Sequence, residues 1–187
     1  LVTTAFLVAP PAALADISWG ALLALAIPGV ILLLLALRGS KEKRLKLVAI
    51  GVILLLSGGF VFFLSNPFQQ NSITVGTGSI RADAPPYFNL NITKGQIASL
   101  YVENLTTWNI TISARTSGTA LGSFDSGFFK LSNGANADVL TTGNTNLVIV
   151  LSSGTYVILG PQDFQSFLSD FEQSGLVANY PPPTGYG

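Results

Sequence analysis

Cysteine, histidine and methionine are all absent from the 187 residues, and charged side chains make up only 10% of them. Without cysteine there is neither a disulfide framework nor a thiolate metal site. The loss of histidine and methionine as well removes the imidazole and sulfur ligands of copper, zinc, haem and iron–sulfur centres. It also closes Ser-His-Asp catalysis, which needs an imidazole base. The chain is therefore expected to have no cofactor, no metal and no enzymatic activity of its own.

The shortage of charge has a second meaning. Soluble domains average about 25% charged residues, whereas this chain is 49% hydrophobic. That balance points to an integral membrane protein. The charges are also segregated: Arg38, Lys41, Lys43, Arg44 and Lys46 place five of the nine basic residues in one short stretch. From Asn66 onward four basic residues face seven acidic ones, leaving no basic patch for nucleic acid.

Two long apolar runs flank the basic stretch. Ile17 to Leu37 carries no charge, has Trp19 near its start and Pro28-Gly29 in its middle. Leu47 to Leu64 is similarly apolar and contains Gly51, Ser57, Gly58 and Gly59, small residues that favour close helix contact. About 20 helical residues cover the roughly 30 Å hydrocarbon core, so residues 17–66 are expected to form a transmembrane helical hairpin. The basic loop 38–46 should stay in the cytoplasm by the positive-inside rule, with its cations available to lipid headgroups. Residues 1–16 are apolar and end in an Ala13-Leu14-Ala15 pattern, which reads as a signal-like segment or an additional membrane anchor.

Beyond Pro67 the period changes to two. Phe88, Leu90 and Ile92 alternate with Asn89 and Asn91, and Trp108, Ile110 and Ile112 alternate with Asn109 and Thr111. Further strands are expected near residues 72–75, 97–103, 127–131, 139–142, 146–151 and 155–159. Turn chemistry separates them at Thr93-Lys94-Gly95, Ser117-Gly118, Asn133-Gly134, Gly143-Asn144 and Ser153-Gly154. Residues 67–160 thus read as an extracytoplasmic β-sandwich, jelly-roll or immunoglobulin-like. Residues 161–175 form a short amphipathic helix in which Phe164, Phe167, Leu168 and Phe171 make one stripe, a candidate partner contact. Residues 176–187 are a proline-rich arm.

Chemistry is sparse. Lys94 or Lys130 could pair with a serine only formally, and Asp83, Glu103, Asp125 and Asp138 fall at expected turns and strand ends. Gly76-Thr77-Gly78-Ser79 lacks the third glycine of a phosphate loop and reads as a turn. Three sequons, at Asn91, Asn104 and Asn109, suit an outward-facing glycoprotein domain.

The expected fold is a membrane-anchored all-β chain with a two-helix hairpin, located in a cell membrane or virion envelope. The expected role is a structural subunit of a cell-envelope or virion complex. Its partners are the lipid bilayer and other membrane or surface subunits, including copies of itself. One alternative is an accessory subunit of a respiratory or transport complex. The stretch Asp16 to Leu64 is also similar to the two-helix pilins of conjugative systems, which implies a filament subunit; those pilins lack a large β-domain.

Overall fold

In the computed structural model, residues 3–9, 12–37, 40–65 and 71–176 are described. The chain divides into two compact units: Pro11–Pro67, and Leu1–Pro10 together with Phe68–Gly187.

The first unit is a helical hairpin of α1 (Ala12–Ala36) and α2 (Lys41–Ser65). Its helices meet where side chains vanish. A Cβ on Gly29 would lie 3.0 Å from the Gly51 carbonyl oxygen, one on Gly51 2.9 Å from that of Gly29, and one on Gly58 3.2 Å from Leu25. Gly51 and Gly58 therefore serve the hairpin's own contact. Gly59 faces open space, and the Ser57 hydroxyl donates to the Ile53 carbonyl within its own helix.

The transmembrane expectation is corrected here. Among the described residues no helix is long and apolar enough to cross a membrane. Lys41, Lys43, Arg44 and Lys46, expected in a loop, lie in the first two turns of α2. The membrane-protein class, which composition also suggested, the integral-membrane location and the extracytoplasmic placement of the β-domain are withdrawn with the crossing.

The second unit is the β-domain. Its strands are β1 (Thr4–Leu7), β2 (Ser72–Gly76), β3 (Ser79–Ala84), β4 (Phe88–Thr93), β5 (Ile97–Asn104), β6 (Ile112–Leu121), β7 (Phe124–Leu131), β8 (Asn136–Thr141), β9 (Thr145–Leu151) and β10 (Tyr156–Gly160), followed by α3 (Phe164–Gln173). They form a four-stranded sheet, β1-β2-β3-β4, and a six-stranded sheet, β5-β9-β10-β8-β7-β6. Because β10 enters between β9 and β8, it is antiparallel to the first and parallel to the second. This parallel pair replaces the jelly-roll or immunoglobulin-like order expected above, both of which are antiparallel.

The core follows from the alternation. Ile73 and Val75 of β2, Ile80, Ala82 and Ala84 of β3 and Ile92 of β4 face Phe124, Leu140, Leu147, Ile149, Val157 and Leu159 of the larger sheet, with Phe167, Phe171 and Leu176 in the same cluster. Asp163 caps α3 by accepting from the Ser166 N–H at 3.2 Å, and Gly175 just beyond it has φ +81°. A second cluster lies on the other face of the six-stranded sheet, where Phe129, Leu131, Val139, Val148 and Ile158 are covered by Leu105, Trp108, Ile110 and Ile112.

Two elements differ from the sequence reading. The alternation at Trp108 to Thr111 is a loop laid over this second cluster, so its period of two reports burial without a strand ladder. Ser117-Gly118 is no turn; it sits inside β6 opposite Phe128 and Gly127, at a register shift. Gly76 to Ser79 is the expected turn, with Gly78 at φ +74°.

Strand β1 pairs with β2 from Thr4↔Val75 to Leu7↔Ser72, and the Val8 N–H donates to the Asn71 carbonyl at 3.0 Å. The chain thus leaves the sheet on one strand and returns on the next. In sequence, the whole helical hairpin is an insertion between two neighbouring antiparallel strands.

Candidate functional site

The helical stripe is internal to the β-domain. Phe167, Leu168 and Phe171 are buried and Phe164 packs against the same core. Their rings stack along the helix, with Phe164–Phe167 centroids 5.9 Å apart and Phe167–Phe171 6.3 Å. They hold α3 on the sheets and leave little apolar surface for a partner.

The sequon asparagines occupy three settings. Asn91 is exposed on β4. Asn104 ends β5 and accepts from the Thr106 N–H at 3.0 Å and the Thr106 hydroxyl at 2.6 Å, a local turn made by the sequon itself. Asn109 is exposed in the loop beside Trp108. Of the basic residues, Lys41, Lys43, Arg44 and Lys46 are exposed on α2. Arg38 lies outside the described residues, as does the proline-rich arm apart from Leu176, which is buried in the core.

The acids do not converge. Among the described residues no group of three or more Asp or Glu could hold a metal ion. Asp83 is paired with Arg81, Nε to Oδ2 at 2.9 Å. Asp125 and Asp138 project from adjacent strands β7 and β8 but are out of register, Asp125 lying opposite Thr141 and Asp138 opposite Phe128. Burial raises the pKa of the Asp125 carboxyl, with the Arg115 guanidinium pulling it back in part. Burial alone raises that of Asp138. Desolvation of this kind penalises the carboxylate form.

The most distinctive surface is apolar. Of the large hydrophobic side chains exposed among the described residues, all but Leu7, Tyr101 and Leu121 belong to the hairpin. Leu23, Ile27, Ile31, Leu34 and Leu35 line α1, and Ile50, Ile53, Leu56 and Phe60 line α2. Contiguous apolar surface of this kind marks an interaction site. Sequence reading found these residues but assigned their partner through the crossing that the structure does not support.

Residues 86–175 match a family model described as a bacterial PH domain. The matched stretch runs from the start of β4 through α3 and lies wholly within the β-domain. No curated protein and no solved structure matches the chain.

Proposed function

We propose that this chain is a non-enzymatic assembly subunit that acts by contact: the β-domain is a scaffold for protein contacts, and the inserted hairpin supplies an apolar surface that joins it to a larger particle. The observation that carries this reading is the concentration of exposed leucine, isoleucine and phenylalanine on α1 and α2. Leaving such a surface in water is costly, at about 25 cal/mol per Å² of apolar area, and covering it recovers that cost. The similarity to a bacterial PH domain supports a binding role, since PH domains often bind lipids or proteins.

The test is the mass of the particle that the full-length chain forms on gentle extraction, read by mass photometry. Several copies, or stoichiometric co-purifying subunits, are expected, and Ile53→Glu with Leu56→Glu should release single chains. A wild-type chain that stays monomeric and dispersed in plain buffer, without any companion protein, would defeat the proposal.

A further inference from the structure

The exposed apolar side chains of the hairpin recur at helical spacing. Leu23, Ile27 and Leu34 on α1, and Leu45, Val52 and Leu56 on α2, follow one another at steps of four or seven residues. Such steps draw one stripe along each helix, the pattern of a seam between packed helices. The contact inside the hairpin is made by other residues, at Gly29, Gly51 and Gly58. The stripes are therefore left for a further helix pair, as in a four-helix bundle.

Charge says how that second pair must lie. Between Arg38 and Lys46 the sequence has five cations against one acid, Glu42, and the side chains of Lys41, Lys43, Arg44 and Lys46 are exposed. They mark the turn end of the hairpin, whereas Ala12 and Ser65, which lead towards β1 and β2, mark the other end. Two hairpins packed parallel would crowd their cationic ends together, and like charges set side by side oppose association. Packed antiparallel and centred on Val52 and Ile53, they hold the two Lys43 positions about 28 Å apart along the axis. That is more than three times the roughly 8 Å screening length of physiological salt.

The antiparallel arrangement also supplies a counter-charge. It carries each turn end towards the end at which the other copy enters its β-domain, and from Asn66 onward seven acids face four bases. Helix α3 with its cap presents Asp163, Asp170 and Glu172 at the surface and has no lysine or arginine. A second copy thus brings both the apolar seam and the opposite charge.

We propose that the partner covering the hairpin is a second copy of this chain, packed antiparallel about a two-fold axis near Ile53. The inference rests on the assembly role proposed above and names its first contact. In such a pair each copy offers the same surface to the other, and Leu45 of one copy comes level with Phe60 of its partner.

The chain has no cysteine, so one introduced thiol carries one spin label. Leu45→Cys, Ile53→Cys and Phe60→Cys, all at exposed positions, are labelled in turn on the full-length chain, and label pairs are measured by double electron–electron resonance. Antiparallel packing predicts a short distance at position 53 and long ones at 45 and 60, with about 22 Å of axial separation at each. Should a label at Leu45 break the pair, Lys41→Cys reads the same end. Lys43→Glu with Arg44→Glu should weaken the pair roughly tenfold. Short distances at all three positions would mean parallel packing and overturn the proposal, as would unchanged or tighter pairing of the charge-reversed chain. Labels without a pair, in a particle whose mass shows a companion protein, would overturn it while leaving the assembly role standing. Single chains, in plain buffer or on lipid vesicles, would defeat both.

Discussion

The ring of Phe6 meets that of Phe167 edge-to-face, with centroids 5.5 Å apart and planes at 78°. Phe6 lies on the strand that precedes the helical insertion and Phe167 on the last helix, so one contact joins the described ends of the chain. Phe167 is fully buried, and Phe6 is 8% exposed. The N-terminal strand is thus a structural part of the β-domain core.

Phe6→Ala should therefore destabilise the β-domain by about 3 kcal/mol, the lower end of the cost of emptying a buried phenylalanine site. Chemical denaturation followed by Trp108 fluorescence would measure it. Trp108 sits over the second cluster, beside Tyr156 at a centroid distance of 6.2 Å, and reports the same domain from another place. A loss below about 0.5 kcal/mol would mean that β1 contributes little to the core.

Gly118 and Gly127 face each other across β6 and β7. A Cβ on Gly118 would fall 2.5 Å from the Ser126 carbonyl oxygen, and one on Gly127 would collide with the Gly118 Cα and the Ser117 carbonyl oxygen. Gly127 also has φ +130°, which L side chains rarely adopt. Gly127→Ala is expected to cost about 2–3 kcal/mol and to free the β6 edge. Faster amide exchange along Ile112–Leu121 would show it, and unchanged protection there would argue against the close approach.

Asp138 should make stability fall as pH rises. Its folded-state pKa is raised above the ordinary value of 3.8 by burial, so the native state holds its proton where the unfolded chain has released it. The penalty is absent below the unfolded pKa, grows between the two values and is complete above the folded one. Asp138→Asn should accordingly equal or exceed wild type in stability at neutral pH, and the advantage should vanish below about pH 3.8. Asp125→Asn should behave similarly but less strongly, because Arg115 partly offsets its burial. Urea midpoints at pH 3 and pH 7 decide the matter; a mutant advantage confined to acid pH would reverse the sign.

Much of the β-domain was legible because side-chain period reports burial directly. The strands around Phe88, Ile97, Val139, Asn146 and Thr155, the turns at Asn133-Gly134 and Ser153-Gly154, and the Phe164 to Phe171 helix all follow from local pattern and turn chemistry. Strand β3 was missed although Ile80, Ala82 and Ala84 alternate with Arg81 and Asp83, because alanines weaken the apolar signal. The Arg81–Asp83–Asn89 cluster was missed with it, since its members come from two strands and meet only through register.

The amino-acid pattern by itself determined that imidazole and sulfur side chains are lacking, where the apolar helices lie, and where most strands and turns fall, since each depends on residue type and near neighbours. Tertiary structure alone decided that Thr4–Leu7 pairs with Ser72–Gly76 across an inserted hairpin, that β10 enters beside β8 in parallel, and that Lys41 to Lys46 are helical. Those outcomes depend on contacts between residues far apart in the chain or on where a helix starts, and local period carries no record of either.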